Sequence, residues 1–94
     1  MYGSIFKVRP KPGKAAEFRD VLIGSPRRAK AMVTAYLLSE DASGDIWGFA
    51  VFEDEKSYRE NAADPAQDAQ YQAFRALIEH DPEWHDGSIE QRPD

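Results

Sequence analysis

His85 is the residue best suited to move a proton, because imidazole gains and loses protons near neutral pH. It stands between Trp84 and Asp86, and a neighbouring carboxylate can hold an imidazole in place as an oriented base. The same segment also fits a rigid turn in which Trp84 anchors the last strand. His80 lies at a predicted helix end, where the helix dipole favours a cation. The spacing of the histidines and nearby carboxylates matches no established zinc motif, so we expect no metal site.

Tyr36 and Trp47 carry hydrogen-bonding groups on neighbouring apolar strands. A buried hydroxyl or indole N–H needs a partner, and a bound ligand would supply one. Packing in a core or in a dimer interface is the alternative for both side chains. The sequence therefore leaves Tyr36 and Trp47 as candidate substrate-binding residues.

Asn61 precedes the Asp64-Pro65 pair, which interrupts a predicted helix because the residue before proline is driven out of helical geometry. Its amide either donates a hydrogen bond to a ligand or satisfies the interrupted backbone. Tyr58 lies one turn earlier on the same helix and is a candidate for lining a pocket. Tyr71 falls on the apolar stripe of the next helix, where a core role competes with substrate binding.

Four strands must position these side chains. Ile46 to Phe52 is apolar throughout and rich in aromatic and β-branched residues, which predicts a strand buried on both faces. Gly48 within it indicates a bulge, or a place where a ligand or a second backbone approaches closely. The other predicted strands are Tyr2 to Arg9, Ala31 to Ser39, and Ser88 to Gln91.

Helical segments join these strands. The first runs from Lys14 to about Ile23, with apolar residues at helical spacing. The second opens at Asp54 or Glu55 and runs to about Ala63. After the break, Asp64 as N-cap and Pro65 at the first helical position begin a further segment that runs to about His80.

The element order is strand, helix, strand, strand, helix, strand, which is the split βαβ pattern of ferredoxin-like α+β folds. We expect one antiparallel sheet with its helices packed on one face. The other face would then expose large apolar groups from the second and third strands, more than soluble monomers usually tolerate. A second copy packed sheet to sheet would cover them. The prediction is a homodimer, a dimeric α+β barrel.

Composition limits the partners. The 94 residues suffice for one domain, 1–94, with one core. A formal net charge of −5 argues against nucleic acid as a partner, since phosphate binding needs a basic face. The cluster of Arg27, Arg28 and Lys30 either holds an anion or forms a solvated loop.

The lack of cysteine excludes disulfides and thiol nucleophiles. No segment has a signal-peptide pattern or the roughly 20 apolar residues of a membrane span, so we expect a cytoplasmic protein.

Nearly the whole chain resembles the antibiotic biosynthesis monooxygenase-like family of the dimeric α+β barrel superfamily. Four segments carry this resemblance: KPGKAAEF at 11–18, the Tyr36-Leu37-Leu38 strand, FEDEKSYR at 52–59, and the stretch from Asn61 through Asp64-Pro65 to Trp84-His85-Asp86-Gly87. The resemblance implies the same fold and dimer. It is less informative about the reaction, because one fold hosts many activities.

The resemblance implies oxygenation without a cofactor, in which a bound phenol or quinol itself reacts with dioxygen. Asn61 would hold the substrate oxygen and His85 would move a proton. The pocket would be lined by aromatic side chains, Tyr36, Trp47, Tyr58 and Tyr71. A related branch degrades haem through an asparagine, a tryptophan and a histidine, and the corresponding positions here are near Phe6, Asn61 and Tyr71, so we do not expect haem chemistry.

The alternative function is a non-catalytic dimeric barrel that binds a small apolar metabolite. The space between the sheet and the helices distinguishes the two. A cavity of roughly several hundred cubic ångströms, lined by these polar side chains, favours an oxygenase, whereas complete filling by phenylalanines favours a packed module. The five phenylalanines in question are Phe6, Phe18, Phe49, Phe52 and Phe74.

Overall fold

The structure is a computed structural model that describes residues 1–24 and 31–93. The basic cluster of Arg27, Arg28 and Lys30 lies outside the described residues. In chain order the elements are β1 (Tyr2–Val8), α1 (Ala15–Leu22), β2 (Met32–Ser39), β3 (Ile46–Phe52), α2 (Glu55–Ala62), α3 (Pro65–Arg75) and β4 (Glu83–Ser88).

The four strands form one sheet in the order β2-β3-β1-β4, and all three neighbouring pairs are antiparallel. This is the order of a ferredoxin-like fold, so the α+β, split βαβ prediction is confirmed. The edge strands are β2 and β4. The predicted second helical region is two helices, α2 and α3, separated at Asp64.

All three helices contribute to a layer on the same face of the sheet. Alternate residues of β1 point to that face, and Phe6 and Val8 are buried there with Ile46 of β3. Phe18 of α1 and Phe74 of α3 pack against them, with their rings 5.7 Å apart in an edge-to-face arrangement. This apolar layer positions α1 and α3, because each buries a phenylalanine in it, whereas α2 has no buried residue.

The residues at the helix break cap α3 as predicted. Asp64 is the N-cap of α3, and its carboxylate accepts a hydrogen bond of 2.8 Å from the Ala66 N–H, with Pro65 in the first turn. α3 ends at Arg75, however, and not at His80 as predicted. The backbone beyond it pairs instead with the segment after β1, since the Lys11 N–H donates to the Leu77 carbonyl at 2.8 Å.

The last strand lies earlier than predicted: β4 is Glu83–Ser88, not Ser88 to Gln91. The sequence there suggested a loop because Asp86 and Gly87 are poor strand formers. Pairing with β1 overrides that preference, and Lys7 faces Glu83 at one end of the ladder while Tyr2 faces Ser88 at the other.

The second face of the sheet carries exposed apolar side chains. Tyr36 is 63% exposed, Leu38 59% and Ile5 43%. A register shift between Met32 and Thr34 sets Met32 opposite Phe52, on the helix side, so Met32 lies on the other face from Tyr36 and Leu38. We call this surface the open face. No helix within residues 1–24 and 31–93 is long and apolar enough to cross a membrane.

Candidate functional site

α2 is the helix that carries the candidate polar groups. Its N-terminus is fixed by Asp54, whose carboxylate accepts a hydrogen bond of 2.8 Å from the Ser57 N–H. Its partly buried residues are Ser57, Tyr58 and Asn61. Ser57 and Tyr58 precede Asn61 by four and three positions, which places all three on the side of the helix that meets the sheet. Two of the sequence-predicted site residues, Tyr58 and Asn61, therefore lie on the sheet side of α2.

Asn61 lines a cleft of about 210 Å³ beside α2. The Asn61 amide donates a hydrogen bond of 3.4 Å to Gln67 Oε1 across the helix break. The cleft walls come from the start of β2, from α2 and from the break, and comprise Ala31, Ser57, Glu60, Asn61 and Asp64. Asn61 is thus a cleft residue whose amide lies at the junction of two helices, as its position before the break suggested.

Tyr58 points from α2 toward the edge of the sheet formed by β4, away from the cleft beside Asn61. Its hydroxyl donates a hydrogen bond of 2.9 Å to Asp86 Oδ1 on β4. Its ring centroid is 5.3 Å from that of Tyr2 and 5.5 Å from that of Phe52. Burial raises the pKa of the Tyr58 phenol, and the hydrogen bond to Asp86 raises it further. Tyr58 therefore stays protonated, and acts as a donor, at neutral pH.

Ser4 is a buried polar residue near Tyr58 that the sequence had not suggested as a candidate. It faces Asp86 across the β1–β4 ladder and is only 3% exposed. No described residue gives its hydroxyl a hydrogen bond, although it lies near enough to Tyr58 to lower the pKa of that phenol. A buried hydroxyl without a partner is costly. The sequence did contain one signal, because Ser4 is polar although it alternates with the core-facing residues of an apolar strand.

Arg59 covers the outer side of this aromatic group. Its guanidinium carbon lies 5.6 Å from the ring centroids of both Tyr2 and Tyr58. It donates a hydrogen bond of 3.0 Å to the Tyr2 hydroxyl, and it pairs with Glu55 one turn earlier at 3.4 Å. The cation thus closes the cluster of phenols toward solvent.

His85 lies on the open face, opposite Ile5, whereas Asp86 points to the helix side. Successive residues of a strand face opposite sides of the sheet, so these two neighbours cannot form the oriented pair considered from the sequence. The carboxylate near His85 is that of Glu83, 3.2 Å from Nε2. His85 and Asn61 are on different faces of the sheet.

Tyr36 and Trp47 also lie on the open face and do not join Tyr58 and Asn61. Tyr36 stands opposite Phe49 in the β2–β3 ladder and is largely exposed. The indole N–H of Trp47 donates a hydrogen bond of 2.8 Å to Glu40, the partner that a half-buried indole requires. The position of these two residues fits the dimer-interface alternative.

Tyr71 and Gly48 both belong to the packed layer between sheet and helices. The Tyr71 ring lies 5.0 Å from that of Phe74 and packs against the core. Of the two roles considered for Tyr71, core packing and substrate binding, this position fits core packing. The space above Gly48 is filled by the Phe6 ring, so the close approach predicted there is made by a side chain of the chain itself. Four of the five phenylalanines fill this layer, and the fifth, Phe49, is on the open face.

A second cleft, of about 180 Å³, lies where β1 ends and β3 begins. Asp45 is buried there, and Arg9 donates to both of its oxygens at 2.8 and 3.3 Å. Its walls also include Lys7, His80 and Glu83. Within residues 1–24 and 31–93 no three side chains of the metal-binding types come together at one point. The sequence did not suggest Arg9 and Asp45 as a pair, because the two residues are far from each other in the chain.

The chain shares its ferredoxin-like α+β fold with solved structures of antibiotic biosynthesis monooxygenases, as the resemblance predicted for the fold. One similar structure is a variant of SnoaB, a cofactor-independent oxygenase from Streptomyces nogalater. It is 22% identical, with a TM-score of 0.81, and the match covers 97% of this chain and 94% of that one. No family model and no curated protein sequence matches the chain.

Two further structures support the same class. A monooxygenase from the gene ActVA-Orf6 of Streptomyces coelicolor, in complex with the ligand Nanaomycin D, is 16% identical with a TM-score of 0.83; the match covers 98% of this chain and 89% of that one. An antibiotic biosynthesis monooxygenase is 12% identical with a TM-score of 0.73, covering 97% and 100%. Identities this low establish the fold, and the reaction has to be argued from the residues.

Proposed function

We propose that the protein is a cofactor-independent monooxygenase that oxidises a small aromatic phenol or quinol with dioxygen. The observation that carries this proposal is the cleft beside α2 with the Asn61 amide at its wall. The likeness to a cofactor-independent oxygenase and to a monooxygenase that binds Nanaomycin D supports the choice of reaction and ligand class.

The size of the cleft favours a substrate with one ring. Pockets for drug-sized ligands usually measure about 300–1,000 Å³, and the Asn61 cleft measures about 210 Å³. Hydroquinones and simple phenols are therefore better first substrates than polycyclic anthrones.

Asn61 would act by holding the substrate oxygen. Its amide donates to Gln67 at 3.4 Å, a long hydrogen bond that a substrate oxygen can replace. A hydrogen bond to the substrate oxygen also holds the aromatic ring that reacts with dioxygen. When the substrate is itself reactive, such positioning is a large part of what an enzyme contributes. His85 lies on the opposite face of the sheet, so within one chain we assign the polar role in this cleft to Asn61 alone.

Oxygen uptake with substituted hydroquinones tests the proposal. We expect uptake above the uncatalysed rate for the unaltered protein, and a fall of roughly a hundred- to a thousandfold for Asn61→Ala, the usual effect of losing one donor to a reacting oxygen. Gln72→Ala, an exposed amide on α3, is the matched control and should keep full uptake. Rates equal to buffer alone for every hydroquinone would refute the oxygenase proposal.

A packed, non-catalytic barrel that binds a small apolar metabolite is the second candidate. It is favoured by the filling of the layer between sheet and helices with Phe6, Phe18, Phe52 and Phe74, which are all at least 92% buried. Purification from cells followed by mass spectrometry under non-denaturing conditions would detect such a metabolite. A bound apolar compound together with no oxygen uptake would select this candidate.

In either case we propose a homodimer formed through the open face. Tyr36, Leu38 and Ile5 expose large apolar surface there, side by side on β2 and β1 with Phe49 between them. Burying such a patch against a second copy gains roughly 25 cal/mol per Å² of apolar area. The same packing would bring two sheets together and enclose them as a barrel.

A further inference from the structure

Two tyrosines lie side by side where α2 meets the start of β1. The ring centroids of Tyr2 and Tyr58 are 5.3 Å apart, and the ring planes are inclined by 54°. Aromatic rings at this separation touch at their edges. Among the ring contacts of residues 1–24 and 31–93, this is the only one that joins two tyrosines. Both side chains are partly exposed, so an oxidant in solution can reach them.

The Tyr58 hydroxyl already has a proton acceptor. It donates a hydrogen bond of 2.9 Å to Asp86 Oδ1, and Asp86 is exposed, so its carboxylate can pass a proton on to water. A phenol that loses an electron becomes a strong acid and must release its proton. A carboxylate that is hydrogen-bonded to this phenol can take up the proton as the electron leaves. The geometry therefore favours oxidation of Tyr58 to a neutral phenoxyl radical.

The Tyr2 phenol is held in position by Arg59. The guanidinium donates a hydrogen bond of 3.0 Å to the Tyr2 hydroxyl, and its carbon lies 5.6 Å from the centroids of both tyrosine rings. Because arginine is only a donor, the hydroxyl proton of Tyr2 is not used in this hydrogen bond and can leave to water. Arg59 thus fixes the second ring against Tyr58 without blocking the loss of its proton.

We propose that Tyr2 and Tyr58 form an oxidative cross-linking site, at which a diffusible one-electron oxidant such as the carbonate radical joins the two rings as dityrosine. Each phenol loses one electron and its hydroxyl proton, which passes to Asp86 from Tyr58 and to water from Tyr2. The two phenoxyl radicals form one carbon–carbon bond between ring positions next to the hydroxyls. The two ring hydrogens at these positions then move to the oxygens and restore the phenols. The protein loses two hydrogen atoms in total, and two equivalents of oxidant are reduced.

The cross-link would fasten α2 to the sheet. α2 has no buried residue of its own, whereas β1 is a central strand that pairs with both β3 and β4. A covalent bond between residues 2 and 58 closes a long loop and lowers the entropy of the unfolded chain, as a disulfide does. We expect it to raise Tm by roughly ten degrees. This inference does not depend on the proposed oxygenase, because the oxidant comes from solution.

Photo-oxidation with tris(bipyridyl)ruthenium and persulfate tests the site, because illumination then generates ruthenium(III), a one-electron oxidant. We expect dityrosine fluorescence in the band of the single chain on a denaturing gel. Trypsin should release a peptide that joins residues 1–7 to residues 57–59 and is lighter than their sum by two hydrogen atoms. In urea the yield of this peptide should fall at least roughly tenfold, because the fold no longer holds the two rings together.

Substitutions identify the residues that react. Tyr2→Phe and Tyr58→Phe should each abolish the joined peptide, and Tyr71→Phe, which changes a tyrosine packed on the core, should leave its yield unchanged. Asp86→Asn should slow its formation severalfold, since an amide does not take up the phenol proton. The matched control is Glu83→Gln, which removes another exposed carboxylate of β4 and should not change the rate.

The exposed Tyr36 on the open face provides an internal comparison. Its products should join two chains, run as covalent dimers and disappear in Tyr36→Phe, while the single-chain product persists. Equal yields of the joined peptide in buffer and in urea, or single-chain dityrosine fluorescence in Tyr58→Phe, would overturn the site. Oxidation confined to Trp47 and Trp84, with no joined peptide, would overturn it as well. An unchanged rate in Asp86→Asn would remove Asp86 as the proton acceptor.

Discussion

Tyr58 and Asp86 are joined by a hydrogen bond of 2.9 Å, although 28 residues separate them in the chain. The bond connects α2, which follows β3, to β4, the last strand and one edge of the sheet. It places a phenol, a carboxylate and the buried Ser4 hydroxyl at one point. This relationship makes Tyr58 the residue whose ionisation is most informative about the helix side of the protein.

Tyr58 should make the protein less stable at alkaline pH. Burial raises its pKa in the folded state, and Asp86 raises it further. A group with a raised folded pKa stabilises the fold below its unfolded pKa, about 10 for tyrosine, and that stabilisation is lost as pH rises through the folded value. We expect the free energy of unfolding in urea to fall above about pH 10, and to fall less in Tyr58→Phe. Identical slopes of the unfolding free energy against pH for the unaltered protein and for Tyr58→Phe would contradict the argument.

Asp45 should contribute to acid unfolding. The hydrogen bond from Arg9 lowers the pKa of this carboxyl, and it outweighs burial, which acts in the opposite direction. A group with a lowered folded pKa gives stability that is present above its unfolded pKa, about 3.9, and that is lost as pH falls through the folded value. Asp45→Asn should therefore reduce stability at pH 7 and flatten its dependence on pH below about 4, measured by circular dichroism. Asp81→Asn, which removes an exposed partner of Arg75, should change the profile little; a larger effect of Asp81→Asn would count against a special role for Asp45.

Gly48 should tolerate no larger residue. A Cβ added there would lie 2.1 Å from the Phe6 ring, and that ring is held on its other side by Trp84. Overpacking of this kind costs about 1–3 kcal/mol, which we expect for Gly48→Ala in urea unfolding. Gly87→Ala meets no atom within 4 Å and should stay within about 0.5 kcal/mol of the unaltered protein.

A compensating change sharpens this prediction. Shortening the ring in Phe6→Leu makes room for a methyl group at position 48, so the double variant should lose less stability than the sum of the single ones. Strict additivity would mean that Gly48→Ala acts through something other than the contact with Phe6.

The open face should mediate dimerisation. A charge at Leu38, which is 59% exposed, would be buried against a second copy without a partner and would prevent association. We expect the unaltered protein to sediment at twice 10.6 kDa at micromolar concentration, and Leu38→Glu to sediment as a monomer. Ile23→Glu changes a residue that is 62% exposed at the end of α1 and should leave the mass unchanged. A monomeric mass for the unaltered protein would refute the homodimer.

Local patterns in the sequence were sufficient for most of the elements. The apolar run from Ile46 to Phe52 predicted β3 with its bounds, because a strand with two covered faces needs no polar alternation. Asp64 and Pro65 predicted the break and the cap of α3, because capping involves only neighbouring residues. β4 was misplaced because Asp86 and Gly87 favour a turn locally, and only β1 makes their extended form stable.

The candidate site depended far more on tertiary structure. The sequence identified Tyr58 and Asn61, since both lie near an interrupted amphipathic helix. It could not show that Tyr58 points toward the β4 edge of the sheet and Asn61 toward the β2 edge, or that Tyr36, Trp47 and His85 lie on the other face of the sheet.

The sequence by itself determined the order of strands and helices, the ferredoxin-like class and the apolar character of both sheet faces. These follow from periodicity and from turn residues, which act over a few positions. The partners of the polar groups were decided by the tertiary structure alone: Tyr58 with Asp86, Arg9 with Asp45, and Ser4 beside a phenol. Such pairs depend on strand register and on the position of α2 over the sheet, which are fixed only when the whole core packs.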